Sequence, residues 1–530
     1  MSKYFACPKK ILLLFIWMFF VLQQNAQTQN NTAIIAKIDS LVPIVMNTWK
    51  IPGMAVAVMK NNDVILKKGF GTKSPEEFLP IDENTVFQIG SVSKSFTAAL
   101  VAMLVDEGKL KWNDKIIDHL PDFRMYDSLA TKSIQVRDIM THRSGLRGQA
   151  GTYIPNMGYD RDDIYSLLKY IKPDTELRST YAYNNITFII AEKLIEKYTG
   201  KSWEENIRER IFEPLGMTSS SINEEGFLNS ENRSMACEFE YEDGIKNKWL
   251  YGDDRALFWL TVIGPAGSIN STATDLIKWS KFHLNKGKVD GKEIISEKNM
   301  KYLHTGQIIT SMDSVRITVY GHCWFIEQTN RYRLYFHTGT TWGFTTLCAF
   351  VPEIDLGIVV LANSESPGAP RYTIMRNIID WFMFGKAEKD YHTEMFNEFI
   401  KEAEEGAKKK SEKENKKEEL TKQLNIYADI YHNEILGDAI IKHENEKLFI
   451  TIGRQGWTSE LKHVDGSHKF EFRMQGHTFP LEFFFDCDAV SRFQIDFGYG
   501  EIFEKWKKEN TSPCGEASDE EKSDDLKTAK

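Results

Sequence analysis

The 530-residue sequence has few cysteines, no excess of positive charge and no long hydrophobic run. Six cysteines are too few for a disulfide scaffold, and none forms a Cys-x-x-Cys pair, which weakens a metal or redox interpretation. A formal net charge of −9 argues against a nucleic-acid binder that relies on phosphate neutralisation. The composition, 42% hydrophobic and 27% charged, is that of a globular protein, and at roughly 100–200 residues per domain the length predicts two to four units.

The longest apolar run lies near the N-terminus. It extends from Ile11 to Leu22, follows Lys9 and Lys10, and its 12 residues fall short of the ~20 that span a bilayer. The polar stretch Gln23–Ala26 comes next. This order predicts a signal peptide over residues 1–26 and therefore an extracytoplasmic location, periplasmic or secreted. An uncleaved anchor, which would contact a membrane through this segment alone, is the alternative.

A charged stretch divides the rest of the chain. Residues 386–420 hold 9 lysines and 11 acidic residues, too many for a core, and predict a charged, solvated helical linker. Residues 421–508 alternate apolar and polar side chains, with turns such as Asp465-Gly466 between the runs, and predict a small antiparallel β domain. Residues 509–530 are acidic and almost without apolar side chains, and we expect a disordered tail.

The segment over residues 31–385 has both strand and helix patterns. Strand-like runs lie near its start, at Met54–Met59, and near its end, at Leu356–Leu361. Amphipathic helix patterns such as Phe188–Tyr198 lie between them. Strands at both ends with helices inserted between them predict an α/β unit that is built on an antiparallel sheet.

Ser91-Val92-Ser93-Lys94 is the first stretch that carries chemistry. A helix pattern follows it and ends at Gly108, so we expect Ser91 at a helix N-terminus, where backbone amides and the helix dipole stabilise negative charge. Lys94 lies one helical turn on and can direct its amine at the serine oxygen. Serine is a poor nucleophile until a base takes its proton, and a lysine whose pKa is lowered in a dry cleft can do so. Two further copies of this spacing are assigned to chance.

Tyr183-Asn184-Asn185 precedes the next helix pattern. Tyr183 is a candidate phenolate-type base, and Asn185 is a candidate donor to a substrate amide. The alternative is a packed tyrosine beside an asparagine that caps the helix.

His337-Thr338-Gly339 lies between two strand patterns. Gly339 would let a substrate backbone approach closely, and a free strand edge would pair with a peptide-like substrate. The backbone amides of Ser91 and Thr340 would then form an oxyanion hole. An ordinary turn with an exposed histidine is the alternative.

Ser-x-x-Lys, Tyr-x-Asn and [basic]-Thr-Gly in this order resemble the serine β-lactamase and penicillin-binding-protein superfamily, and the tyrosine resembles its class C branch. The resemblance covers about residues 33–385 and includes Thr141–Leu146 and Pro265–Gly267, where the structural interpretation is turns and packing. It implies a β-lactamase/transpeptidase-like α/β fold, with an antiparallel sheet flanked by helices plus a helical subdomain. Residues 421–508 resemble the lipocalin-like all-β C-terminal domain of some members, including a self-compartmentalising archaeal peptidase, so a homo-oligomer stays open.

By position, the resemblance implies that Ser91 is the nucleophile that forms an acyl-enzyme. Lys94 and Tyr183 would share the proton transfer, and which of them is the acylation base stays open. Asn185 would bind the substrate amide, and His337 and Thr338 would line the opposite wall.

His337 departs from the family pattern, because strict β-lactamases and carboxypeptidases have lysine there. A histidine that is mostly neutral should recognise a substrate carboxylate more weakly. We therefore expect a serine hydrolase of the D-amino-acid peptidase or esterase type, acting on small amides or esters, rather than a strict β-lactamase.

Several alternatives remain: a penicillin-binding sensor or scaffold with little turnover, a β-lactamase or D-alanyl-D-alanine carboxypeptidase, and a binding protein in which the β domain acts. The expected partner is a small-molecule or peptide substrate, with cell-wall fragments among the candidates. No cofactor, metal or nucleic acid is expected.

Overall fold

The computed structural model describes residues 8–241, 244–250, 255–414, 420, 422–464, 468–474, 477–487, 489–495, 497 and 501–505. These residues fall within two compact units, Met1–Leu146 with Lys172–Ala407, and Arg147–Ile171 with Lys408–Lys530. The strands are, in chain order, β1 Gly53–Lys60, β2 Asp63–Gly71, β3 Phe87–Gln88, β4 Cys237–Tyr241, β5 Ile245–Trp249, β6 Asn270–Ser271, β7 Lys288–Val289, β8 Lys292–Glu293, β9 Ile308–Met312, β10 Ile317–Tyr320, β11 Phe325–Gln328, β12 Arg333–Thr341, β13 Phe344–Val351, β14 Leu356–Ala362, β15 Asp429–Asn433, β16 Gly437–Glu444, β17 Lys447–Ile452, β18 Trp457–His463, β19 Lys469–Met474, β20 His477–Asp486, β21 Ala489–Ile495 and β22 Glu501–Lys505. The helices are α1 Pro8–Trp49, α2 Ser93–Asp106, α3 Ile116–His119, α4 Ser128–Ser133, α5 Arg161–Leu167, α6 Thr187–Thr199, α7 Trp203–Ile207, α8 Glu213–Leu215, α9 Glu224–Leu228, α10 Arg255–Val262, α11 Gly264–Gly267, α12 Ala273–Leu284, α13 Glu297–Leu303, α14 Ala369–Phe384 and α15 Tyr391–Glu414.

An antiparallel sheet of eight strands organises the first unit, in the order β2-β1-β14-β13-β12-β11-β10-β9. The N-terminal hairpin joins the C-terminal strands because β1 pairs with β14, with Met54 opposite Ala362. This arrangement confirms the α/β unit with an antiparallel sheet that the sequence predicts.

Helices cover both faces of the central strands. On one face, Val56 and Val58 of β1 pack in the same core as Ile38 of α1 and Ile378 of α14. Helix α12 packs on the other face against β1, β13 and β14. Every residue of β14 is therefore buried, as expected of a strand between two layers.

The second unit contains a closed barrel of eight strands, β15 to β22 in sequence order. Alternate residues point inward, as in β17, where Leu448, Ile450 and Ile452 are buried. In the described part of this barrel, each strand therefore has a neighbour on both sides, and none lies at a sheet edge. The predicted all-β C-terminal domain is confirmed.

The structure departs from the sequence-based division at residues 147–171. The sequence analysis assigned them to the hydrolase segment, whereas they belong to the barrel unit. In that unit the backbone amide of Arg454 donates to the carbonyl of Met157 at 2.8 Å, and its guanidinium contacts Asp163 at 2.6 Å. Contacts between residues 291 and 297 positions apart leave no local pattern, which is why the sequence could not reveal them.

The predicted linker also differs from expectation. Much of it is helix α15, and Phe396 and Phe399 at its start pack on Trp49, with ring centroids 5.3 and 5.0 Å apart. The first half of residues 386–420 therefore packs on the first unit along one face and is exposed elsewhere, while residues 415–419 lie outside the described residues.

Some of the sequence-based predictions concern residues that the structure does not describe. The Asp465-Gly466 turn and the predicted tail 509–530 lie outside the described residues, as do residues 1–7 of the predicted signal peptide. Within the part of the chain that is described, no helix combines the length and apolar character needed to cross a bilayer. Three buried cysteines are free, namely Cys237, Cys323 and Cys348, and Cys487 is disulfide-bonded.

Candidate active site

Ser91 lies in a short 3₁₀ turn, Gly90–Val92, between β3 and α2. Helix α2 begins at Ser93 and is buried on all sides up to Leu104, so it passes through the centre of the first unit. The predicted helix is thus confirmed, and it ends two residues before Gly108, whose φ of +72° suits glycine. Ser91 itself is half-buried at the start of this central helix.

Lys94 makes three polar contacts in a fully buried position. Its Nζ lies 3.0 Å from Ser91 Oγ, 2.7 Å from Asn185 Oδ1 and 2.9 Å from the carbonyl oxygen of Ala266. Burial lowers the pKa of this amine to about 7, because the charged form is poorly solvated. Two of the partners only accept, so a neutral amine donates both hydrogens to them and directs its lone pair at the Ser91 hydroxyl.

Tyr183 contacts both Lys94 and the same serine. Its ring is 4.7 Å from Lys94 Nζ, and its hydroxyl hydrogen-bonds the Ser91 side chain. Burial raises the pKa of this phenol well above its ordinary value of 10, more than the serine hydrogen bond lowers it. The hydroxyl is therefore protonated at neutral pH, which disfavours the phenolate-type base considered from the sequence.

Two glycines let β12 approach the Ser91 turn. A Cβ at Gly339 would lie 1.9 Å from the carbonyl oxygen of Ile89 and 3.2 Å from Ser91 N, and a Cβ at Gly90 would lie 3.0 Å from Thr340 N. The amides of Ser91 and Thr340 are thereby brought together, as an oxyanion hole requires. The space in the Cβ direction of Gly339 is filled by the chain's own backbone, so this glycine lets β12 lie against the Ser91 turn, and the approach of a substrate backbone there stays a prediction.

His337 is 1% exposed within β12, rather than exposed in a turn. Its Nδ1 lies 2.7 Å from the carbonyl of Thr338, which only accepts, so Nδ1 carries the proton. Its Nε2 lies 2.9 Å from the Tyr320 hydroxyl and must accept from it. Burial lowers the pKa of His337 to about 3, and Lys94 acts in the same direction. The ring is neutral and both nitrogens are used inside the protein.

The accessible side of β12 is formed by threonines. Thr338 is partly exposed and Thr340 is exposed. Strand β11 pairs only with Arg333–Phe336, so between His337 and Thr341 the outer edge of β12 has no strand partner among the described residues. The predicted free edge is therefore present, and it begins beside the site.

Sequence reasoning missed several groups around these residues. The Ala266 carbonyl was noted only as part of a turn, and the buried Arg371, whose Nη1 donates to the Gly339 carbonyl at 3.0 Å, was not noted at all. His142 and Tyr320 were also missed, although His142 stands in a stretch that carried the family resemblance. Among the described residues, no group of three or more His, Cys, Asp or Glu side chains could hold a metal ion.

Comparison with known proteins gives one matching family. The family model described as Beta-lactamase matches residues 38–379. Unguisins hydrolase ungD' of Aspergillus campestris is 28% identical over 341 residues, which are 60% of each chain. Protein flp of Staphylococcus aureus is 24% identical over 341 residues, 63% of this chain and 64% of that protein. The chain thus spans about three fifths of the length of these curated relatives.

A third relative is covered more fully. Penicillin-binding protein 4 of Amycolatopsis lactamdurans is 26% identical over 326 residues, 59% of this chain and 81% of that protein.

Two solved structures share the fold. The octameric penicillin-binding protein homologue from Pyrococcus abyssi has a TM-score of 0.59 at 21% identity, covering 89% of this chain and 100% of that one. A class C β-lactamase mutant has a TM-score of 0.53 at 23% identity, covering 66% of this chain and 98% of that one.

Proposed function

Since the chain belongs to the beta-lactamase family, we propose that it is a secreted serine hydrolase that forms an acyl-enzyme on Ser91 and cleaves small amide or ester substrates. The observation that carries this proposal is the buried Lys94 amine, 3.0 Å from Ser91 Oγ and held there by Asn185 and Ala266. A buried amine whose pKa is near neutrality is matched to proton removal from a serine at neutral pH.

Acylation proceeds by attack of Ser91 Oγ on the substrate carbonyl carbon while the serine proton passes to Lys94 Nζ. The carbonyl oxygen takes up negative charge beside the amides of Ser91 and Thr340. The protonated Tyr183 hydroxyl gives its proton to the departing amine or alcohol and regains one from Lys94. Water then hydrolyses the acyl-enzyme ester and restores Ser91.

The substrate class follows from the neutral His337. Without a cation at this position, the site lacks the charge-assisted contact that would favour a substrate carboxylate. Esters and D-amino-acid amides therefore fit better than strict β-lactam antibiotics. That one relative is named a hydrolase supports turnover over a sensor role.

Location and assembly complete the proposal. Residues 1–26 are a signal peptide that directs the protein outside the cytoplasm, and residues 421–508 form a separate domain. The Pyrococcus abyssi homologue is octameric, which supports a homo-oligomer for this chain.

The test compares Ser91→Ala with a matched control. Residues 27–530 and both variants are assayed with a short-chain p-nitrophenyl ester, D- and L-alanine p-nitroanilides and nitrocefin. Ser166→Ala is the control, because Ser166 stands in another Ser-x-x-Lys copy, is exposed and bonds only the Asp163 carbonyl. We expect ester or D-alanine anilide cleavage that Ser91→Ala abolishes and Ser166→Ala keeps.

Three results would contradict this proposal. Absence of any Ser91-dependent cleavage removes the hydrolase function. Nitrocefin as by far the best substrate replaces it with a β-lactamase, and stable labelling by a fluorescent penicillin without turnover replaces it with a sensor.

A further inference from the structure

We propose that His142 is a positioning residue that holds Tyr183 against Ser91 by binding the chain on both sides of that tyrosine. The proposal rests on the function proposed above and adds to it a residue that touches neither the substrate nor the serine.

Hydrogen bonds from the residues before and after Tyr183 converge on His142. The amide of Ala182 donates to the His142 carbonyl oxygen at 2.8 Å, and the amide of Asn184 donates to the His142 ring at Nδ1, 3.1 Å away. The histidine ring also packs on the Tyr183 ring, with centroids 4.2 Å apart and planes inclined by 36°. Three contacts from one residue thus restrain the backbone and the ring of Tyr183.

The backbone of His142 adopts a conformation that suits this double contact. Its φ is +54°, in the left-handed region that a histidine seldom occupies. In this conformation the carbonyl oxygen of His142 accepts from Ala182 and its ring accepts from Asn184. Such strained residues persist only where the surroundings hold them, and they cluster at active sites.

The ring can accept the Asn184 amide only while Nδ1 carries no proton. His142 is 1% exposed, and burial lowers its pKa well below its ordinary value, with Lys94 and His337 acting in the same direction. The acceptor therefore persists throughout the neutral range.

A ladder of hydrogen bonds supports His142 from behind. Arg178 N donates to the Arg143 carbonyl at 2.8 Å, and both arginines bind the fully buried carboxylate of Asp138. His142 adjoins Arg143 in the chain and packs on Tyr183, so it connects this hydrogen-bonded network to the proton donor.

The experiment compares His142→Gly with His142→Asn. Glycine adopts a φ of +54° without strain but has no acceptor, whereas asparagine tolerates this φ and places an oxygen near the position of Nδ1. For a p-nitrophenyl ester we expect His142→Gly to lower kcat about tenfold to a hundredfold with little change in KM, as for a misplaced catalytic group. His142→Asn should recover most of that loss, and Tm shows that both variants are folded.

Combination with Tyr183→Phe separates positioning from a general structural role. If His142 acts through the Tyr183 hydroxyl, His142→Gly lowers kcat no further in the Tyr183→Phe background. Multiplicative losses, or failure of asparagine to restore activity, would overturn the proposal.

A spectroscopic readout is independent of turnover. In protein labelled with 3-fluorotyrosine, the Tyr183 resonance is identified by its loss in Tyr183→Phe. We expect it to shift or broaden in His142→Gly and to keep its position in His142→Asn. An unchanged resonance contradicts the role of His142 even if the chain hydrolyses nothing, whereas loss of Ser91-dependent hydrolysis with a shifted resonance contradicts only the proposed function.

Discussion

The core of the first unit differs from the interior of the barrel strands in the kinds of side chain that it buries. The first unit buries charged and polar groups such as Lys94, Asp138, His142 and His337. In the described residues of strands β15 to β22, every buried residue is hydrophobic. Burying a polar group costs free energy unless it is paired, so a cluster of such groups is retained where their altered chemistry is used. The proposed chemistry therefore lies in the first unit, whereas the described barrel strands enclose an interior of hydrophobic side chains.

Among the experiments that test this difference between the first unit and the barrel, substitution of Lys94 should have the largest effect on activity. Lys94→Met keeps the length of the side chain but removes the base, and we expect kcat/KM for the ester to fall by about 10²–10⁴. Lys169→Met, in one of the two other Ser-x-x-Lys copies, is the matched control and should retain activity. Steady-state kinetics check this, and a Lys94→Met protein with more than a tenth of wild-type activity would mean that another group takes the serine proton.

Substitution in the barrel core should have the reverse effect: it should lower the stability of the protein and leave its activity unchanged. Phe493 is fully buried against Phe503 and Tyr431, with centroids 4.7 and 4.8 Å away, so Phe493→Ala should lower the free energy of unfolding by about 3–5 kcal/mol. The neighbouring strand offers Phe484, which is only partly buried, and Phe484→Ala should cost much less. Urea denaturation measures both.

The activity of the same variants tests whether the barrel core takes part in catalysis. At temperatures where Phe493→Ala remains folded, its kcat/KM should equal that of the wild type. A fall in kcat/KM that follows the loss of stability would show that the barrel core takes part in catalysis.

The sequence predicts the first unit better than the arrangement of its site. The strands at Met54–Met59 and Leu356–Leu361 and the helix after Ser91 follow from local patterns, and the structure has them within a few residues. The Ser-x-x-Lys spacing likewise places Lys94 beside the serine, because both residues lie on one helical turn.

Tertiary contacts account for what could not be predicted. Burial lowers the pKa of His337, whose Nε2 binds the Tyr320 hydroxyl 17 residues away, and the Lys94 amine is held by a carbonyl 172 residues away. The inclusion of residues 147–171 in the barrel unit depends on Arg454. None of these pairs consists of residues that are neighbours in the sequence or that are spaced with the period of a helix or a strand, so no sequence pattern reveals them.

The pH dependence of activity tests the buried amine without a mutation. Because the base acts when it is deprotonated and its pKa is lowered to about 7, log kcat/KM should rise with unit slope below pH 7 and level off above it. At pH 5 the rate should be about a hundredfold lower than on the plateau. Neither Tyr183, whose pKa is raised, nor His337, whose pKa is lowered to about 3, should add a transition between pH 5 and 9. A flat profile in this range would exclude Lys94 as the titrating base.

The smallest effect is expected where the chain passes between the two units, at residues 147–171. The Arg454 guanidinium contacts Asp163 at 2.6 Å and lies 4.4 Å from the Tyr159 ring, but it is largely exposed, so Arg454→Ala should lower the free energy of unfolding by about 1 kcal/mol or less. Arg492→Ala is the control, since Arg492 lies over Phe484 instead. Hydrogen exchange of the backbone amides within residues 153–163 should become faster in Arg454→Ala but not in Arg492→Ala.

Catalysis should not respond to that change, because the two ends of this segment are joined inside the first unit. The amides of Asp174 and Thr175 both donate to the Gly145 carbonyl, at 3.1 and 3.2 Å, and the ladder through Asp138 continues from there to His142. Loosening the segment at its barrel end therefore leaves the Tyr183 backbone restrained, and kcat/KM should change less than about twofold. If kcat/KM falls further in Arg454→Ala but not in Arg492→Ala, the separation between a catalytic unit and a packing unit fails, and the barrel acts on the site through residues 147–171.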